Sequence, residues 1–167
     1  MKPHWLTALF IMLSILSYAQ KNDSIYRNTI EVYKDQIQND ASIYIHKFSI
    51  KRNGQTIQYE YKKYRDQIVE INRSWENPEK DNYKTTTYQS FILQNEKKVY
   101  GYESIIYQST QDAEDIGGWS CSFWIKDDKV VYMTSLGHGK TELDNWNYEK
   151  ELKHNFKKMM KDVRRHK

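Results

Sequence analysis

The chain has 167 residues, of which 38% are hydrophobic, 29% charged and 14% aromatic, and this length suits about one domain. Its 6 Gly and 2 Pro exclude collagen-like and low-complexity classes, and its 14 Tyr and 5 Trp argue against disorder. The formal net charge is +4, and the single Cys excludes both an intrachain disulfide framework and a zinc site built from several cysteines.

The first 19 residues have the pattern of a secretory signal peptide. Lys2 gives a positively charged start, Leu6–Ser17 is apolar, and the small residue Ala19 favours cleavage before Gln20. Those 12 apolar residues are fewer than the roughly 20 that span a bilayer, and no Cys lies at the junction to carry a lipid. We therefore expect the mature chain, 20–167, to be secreted or periplasmic, without a lipoprotein anchor or a transmembrane segment.

The mature chain has the pattern of one α+β domain. Apolar residues at helical spacing predict a helix over 24–39, and alternating residues over 42–136 predict about seven strands. A second apolar stripe predicts a helix over 142–165, formed by Leu152, Phe156, Met159 and Val163. Because no helical crossover separates the strands, we predict an antiparallel meander, as a curved sheet or half-barrel, with both helices packed on it.

Connections in a meander alternate between the two ends of the sheet. Loops 76–82, 110–118 and 137–141 therefore share one end, whereas the turns at 95–97 and 127–128 share the other. Polar loops on a rigid scaffold are where function concentrates. We predict a binding site at the first end, or in a groove between the sheet and the C-terminal helix, with candidate residues Trp119, Trp124, Tyr102, Asp112, Asp115, His138 and Lys140.

The strand aromatics allow more than one interpretation. Tyr100 and Tyr102 share a face, whereas Trp119 and Trp124 point to opposite faces by parity. Either a large aromatic lies outside the main core, where it could bind a partner protein or a glycan, or both faces of the sheet are covered. A closed calyx lined with tyrosines would instead carry a small apolar ligand.

Residues 137–141 and the strand around Cys121 contain residue types that also occur in catalytic motifs. Residues 137–141 end like a phosphate-binding loop, but Thr134 stands where that motif requires Gly. They fit a turn before a helix, with Gly139 adopting a positive φ. Cys121 lies in an alternating strand without flanking cations, which is typical of a buried hydrophobe and not of a reactive thiol.

His138 is the one weak catalytic candidate. It could act as a general base oriented by Asp112 or Asp115 in a small hydrolase or isomerase, although no nucleophile is specified. We predict no metal, because the acidic residues of 112–117 lack the EF-hand spacing, and we predict no cofactor. A weak cation site shared with loop 76–82 stays open.

The positive charge is concentrated at the C-terminus. Residues 150–167 contain eight Lys and Arg against Glu151 and Asp162. A solvated face and the helix dipole account for such a distribution, and binding to an anionic surface is the functional alternative. Nucleic acid is not an expected partner, because export removes the target and no nucleic-acid motif is present.

The sequence thus favours a secreted or periplasmic, non-enzymatic binding or interaction protein of unspecified partner. The alternatives are a hydrolase or isomerase centred on His138, a carrier of an apolar ligand in a calyx, and a component of an envelope assembly.

Overall fold

The computed structural model describes residues 23–80, 82–111 and 114–166. The predicted signal peptide and Asp112 lie outside the described residues. A helix, α1 (23–39), precedes the sheet and a longer helix, α2 (Tyr148–Arg165), follows it. The strands between them are β1 (Ile43–Arg52), β2 (Gln55–Tyr64), β3 (Gln67–Lys80), β4 (Tyr83–Gln94), β5 (Lys97–Ser109), β6 (Asp115–Lys126) and β7 (Lys129–Gly137).

The seven strands form one antiparallel sheet in chain order, which confirms the predicted α+β meander. Two-residue turns close the hairpins at Asn53-Gly54, Asn95-Glu96 and Asp127-Asp128, and all six residues have a positive φ. Positive φ at both central residues suits the right-handed twist of the paired strands. In the described part of the chain the sheet is open, with β1 and β7 as its edges, so the closed calyx is not formed.

Two of the three predicted loops are shorter than expected. β3 continues to Lys80, and β6 already begins at Asp115, which leaves 110–114 between β5 and β6. Pro78 does not end β3, because the register shifts between Asn77 and Lys80 and a bulge tolerates a residue without an N–H. The predicted contrast in loop length between the two ends of the sheet was therefore overstated.

The second helix begins later than the predicted residue 142. Lys140–Glu142 form a short 3-10 helix, and α2 starts at Tyr148. The side chain of Asn147 caps α2 by accepting a hydrogen bond of 3.0 Å from the Lys150 N–H. Asp144 and Asn145 lie between the two helices, and their side chains compete with helical hydrogen bonding.

The prediction of a positive φ at Gly139 was wrong. Its φ is 177°, which is extended backbone, and Gly137 has the positive φ of 79°. A Cβ at Gly139 would lie 2.4 Å from Cγ of Trp119. Glycine is needed at this position because the chain passes directly against the Trp119 ring.

The helices cover opposite faces of the sheet. α2 packs on one core, which includes Ile71, Phe91, Trp119 and Phe123. The residues of α1 pack on the other, with Val69, Ile92, Val99 and Trp124. Trp119 is 2% exposed and Trp124 is 7% exposed. Both tryptophans are therefore buried although they point to opposite faces of the sheet, because a helix covers each face.

Candidate functional site

A cleft of about 400 Å³ lies between α2 and the sheet. Its position is that of the sheet–helix groove considered above. On β3 and β4 the side chains that face α2 change from apolar to polar towards this end of the sheet, where Trp75 and Ile105 also line the cleft. On β3 the buried Ile71 is followed by Arg73, and on β4 the buried Phe91 is preceded by Gln89. We call this site the α2 cleft.

Three buried polar residues are in register across the floor of the α2 cleft. Arg73 on β3 pairs with Gln89 on β4, and Gln89 pairs with Glu103 on β5. Their exposed fractions are 4%, 5% and 4%. Burial of three adjacent polar side chains is costly unless their hydrogen bonds are satisfied. Each of them therefore has to find its partners within the cleft.

Two amide side chains hold the guanidinium of Arg73. Its Nε donates to Oε1 of Gln89 at 2.8 Å, and its Nη2 donates to the same oxygen. Nη2 also donates to Oδ1 of Asn155 on α2 at 2.9 Å. These acceptors are neutral, so they orient the guanidinium without neutralising its charge.

Asp162 joins α2 to the first two strands. Its carboxylate accepts hydrogen bonds from Nη2 of Arg52 at 3.1 and 3.3 Å and from the hydroxyl of Tyr59 at 2.8 Å. Burial raises the pKa of Tyr59; Asp162 adds to this rise, and the neighbouring Arg73 opposes it. The chain of contacts therefore runs from Arg52 through Asp162 and Tyr59 to Arg73.

Lys140 occupies the opposite end of the α2 cleft. Its Nζ donates to Oε1 of Glu103 and to Oε1 of Glu151, each at 2.5 Å. Burial lowers the pKa of Lys140, but these two hydrogen bonds outweigh burial and raise it. Trp146 Nε1 donates to the other oxygen of Glu151 at 2.7 Å. At this end one ammonium group therefore faces two carboxylates.

Lys158 on α2 also lines the cleft and is half-buried. Its pKa is lowered, first by burial and then by the positive charges of Arg73 and Arg52, which the carboxylate of Asp162 opposes only in part. The potential beside Lys158 is therefore positive.

Two further cavities accompany the cleft. A larger one of about 690 Å³ adjoins it at Trp75 and Asn77, where Nε1 of Trp75 donates to Oδ1 of Asn77 at 3.2 Å. An apolar groove of about 480 Å³ lies on the α1 face, and its lining includes Ile37 and Ile43. Only the first is continuous with the polar residues of the α2 cleft.

The structure does not bring the seven predicted site residues together. Lys140 lines the α2 cleft, and Trp119 is buried beside it, with the Lys140 Nζ 5.9 Å from its ring centroid. Trp124 and Tyr102 belong to the α1 face. Asp115 begins β6, and Asp112 lies outside the described residues. Sequence patterns therefore found one residue of the cleft and missed Arg73, Gln89, Asn155 and Lys158.

His138 lies on the surface, with a side chain that is 96% exposed. Its Nδ1 is 2.5 Å from Oε1 of Glu142. Cys121 is 1% exposed, and burial, with the negative charge of Glu103, raises the pKa of its thiol to about 12. The thiol is therefore protonated and unreactive at neutral pH.

The basic residues of α2 divide between its two faces. Lys158 faces the cleft, whereas Lys153, Lys157 and Lys161 are exposed on the outer face. The described ranges contain neither a helix with the length and apolar character of a membrane span nor a group of three or more potential ligands that could hold a metal ion.

Comparison with known proteins found no relative: no family model, no curated protein and no solved structure matches the chain.

Proposed function

We propose that this chain is a secreted or periplasmic binding protein without a catalytic role, and that it binds a small polar ligand in the α2 cleft. The observation that carries this proposal is the row of buried polar side chains, Arg73, Gln89 and Glu103, that opens onto a cavity of about 400 Å³. A site of this size with a few oriented polar groups has the dimensions of small-molecule pockets.

The composition of the cleft supports binding over a purely structural role. Well-packed apolar residues commonly stabilise a fold as well as a buried ionic cluster does, or better. The same helix packs by apolar side chains at Leu152, Met159 and Val163, which are 6%, 0% and 0% exposed. Next to the cavity, three buried polar residues take the place of that packing, namely Arg73, Gln89 and Glu103.

Chemical-shift mapping of the whole mature protein tests the location of the site. Suitable probes are succinate, inorganic phosphate, glucose and glycine, added separately. We expect at least one probe to shift the backbone resonances of Arg73, Gln89 and Asn155. Shifts confined to Ile37 and Ile43 in the apolar groove, or no shift with any probe, would overturn the proposal.

Export rests on the pattern of residues 1–19 and is tested separately. Expression of the full chain in a bacterium, followed by fractionation and intact-mass measurement, should give a periplasmic or extracellular species that begins at Gln20. A cytoplasmic species that retains residues 1–19 would contradict export.

The outer face of α2 supports a second candidate function, binding to an anionic surface. Its exposed side chains include Lys150, Lys153, Lys157, Lys161 and Arg164. Clusters of basic side chains on a helix bind anionic lipid head groups. Co-sedimentation with phosphatidylglycerol vesicles, and not with phosphatidylcholine vesicles, is the expected result. Equal binding to both vesicle types, or to neither, would rule out this candidate.

A further inference from the structure

The charges within the α2 cleft are unevenly distributed. At one end Lys140 is paired with Glu103 and Glu151. At the other end Arg52, Arg73 and Lys158 line the cavity, and the carboxylate that faces them is Asp162. Three cations against one carboxylate leave an excess of positive charge at the second end, which we call the cationic end.

The ion pair of Asp162 is made with Arg52 and not with Arg73. Nη2 of Arg52 is 3.1 Å from Oδ1 of Asp162, whereas the hydrogen bonds of the Arg73 guanidinium go to the amide oxygens of Gln89 and Asn155. Among the described residues no carboxylate forms an ion pair with Arg73, although its side chain is 4% exposed. A buried charge without an opposite charge destabilises a fold.

Lys158 has the same shortage of negative charge. Burial and repulsion from Arg73 and Arg52 lower its pKa. A bound anion would oppose this repulsion, because it would supply the missing opposite charge. At the cationic end Arg52, Arg73 and Lys158 outnumber the one carboxylate that faces them, and a local excess of positive charge attracts anions.

We infer that the cationic end of the α2 cleft binds the oxyanion of a small ligand, a carboxylate or a phosphate, between Arg73 and Lys158. The two amides that hold Arg73 pre-organise its guanidinium, so little side-chain ordering is needed when the ligand binds. Trp75 adds an aromatic wall, since the centroid of its ring is 5.2 Å from Cζ of Arg73. This inference rests on the proposed function and names its class of ligand.

The test is calorimetric titration of succinate and of inorganic phosphate into three proteins at constant ionic strength. They are the wild type, Lys158→Gln, and Lys157→Gln as a control on the exposed face of the same helix. Lys158 is half-buried and replaceable without leaving a buried partner unpaired, so the variant should fold. We expect Lys158→Gln to weaken binding about tenfold, the loss of one charge-assisted hydrogen bond. Lys157→Gln should weaken it less than about twofold.

The anion that binds more tightly to the wild type identifies the oxyanion as carboxylate or phosphate. Equal weakening by the two variants would show screening of general surface charge and would overturn the inference. Binding of glucose in the cleft, with no effect of either anion, would also overturn it while leaving the proposed function intact. No binding of any probe overturns both.

A spectroscopic measurement distinguishes direct contact between the anion and Lys158 from an indirect effect of the substitution on the shape of the cleft. The pKa of Lys158, followed through its ¹³Cε resonance, should rise when the anion saturates the protein. An unchanged pKa at saturation would contradict contact between the anion and Lys158.

Discussion

The side chain of Asp162 is buried and forms hydrogen bonds with two other side chains. It is 4% exposed and accepts hydrogen bonds from Arg52 and Tyr59. Removing its charge leaves Arg52, Arg73 and Lys158 close together without the carboxylate that partly neutralises them. At the scale of single residues this carboxylate is therefore the main structural support of the cleft.

We predict that Asp162→Asn lowers the free energy of unfolding by about 2 kcal/mol, because it removes the charge of a buried carboxylate that accepts hydrogen bonds from the partly exposed Arg52 and from Tyr59. Urea denaturation measures the change. Asp144→Asn, at an exposed position outside both helices, is the control and should change stability by less than about 0.5 kcal/mol. Similar midpoints for the two variants would show that Asp162 does not support the fold.

Glu151 makes stability depend on pH. Burial alone raises its pKa, but the hydrogen bonds from Lys140 and Trp146 outweigh burial and hold the pKa below its ordinary value of 4.5. A carboxyl group with a lower pKa in the folded state stabilises the fold above its unfolded pKa. That stabilisation disappears as the pH falls through the folded pKa.

The wild type should therefore lose more unfolding free energy than Glu151→Gln between about pH 6 and about pH 3. Urea denaturation over this pH range, with Glu96→Gln in an exposed turn as the control, makes the comparison. Parallel pH profiles for the wild type and Glu151→Gln would contradict the role given to the Lys140 hydrogen bond.

Residue patterns predicted part of the cleft. Lys140 was identified because it follows a glycine turn at a sheet end. Arg73, Gln89 and Glu103 were missed, because a polar residue at alternate positions has the same pattern on a solvated face as on a buried one. Their alignment across three strands requires the register, which the turn residues alone do not give.

At the scale of elements, periodicity predicted α1 and about seven strands, with a turn at Asp127-Asp128. Periodicity was less accurate in placing the first and last residues of the elements. The start of α2 was placed six residues early, because residues 140–142 form a separate 3-10 helix without a side-chain cap and α2 starts only at Tyr148. The buried face of α2 also contains Asn155 and Asp162, which an apolar stripe does not reveal.

Asn147 fixes the start of α2. We predict that Asn147→Ala lowers the free energy of unfolding by about 1 kcal/mol, because the Lys150 N–H loses its side-chain acceptor. Asn147→Asp should retain most of the stability, since aspartate caps equally well. Thermal or urea denaturation of both variants measures the effect. Equal stability of Asn147→Ala and wild type would show that the cap does not stabilise α2.

At the scale of the whole molecule, the absence of helical crossovers was sufficient to predict an antiparallel meander. It could not predict which residues of the two edge strands α2 would contact. Glu149 of α2 accepts a hydrogen bond from the Val130 N–H on β7, and Asp162 reaches Arg52 on β1. These long-range contacts create the cleft, and they depend on tertiary packing that local periodicity does not encode.

Tertiary packing also explains where the basic residues of the C-terminal segment lie. The sequence showed a basic C-terminal segment, and the fold divides it into an exposed face and a cleft-facing side chain, Lys158. Packing of α2 brings Lys158 to Arg73 and Arg52, which are distant in sequence. The anion site proposed above therefore arises from the assembly of three elements.

A crystal structure of the mature protein with the tighter-binding of succinate and phosphate tests this account most directly. The account predicts one anion in the α2 cleft, with oxygens within hydrogen-bond distance of the Arg73 guanidinium and the Lys158 ammonium group. An empty cleft with the anion bound only at exposed lysines of α2 would contradict it.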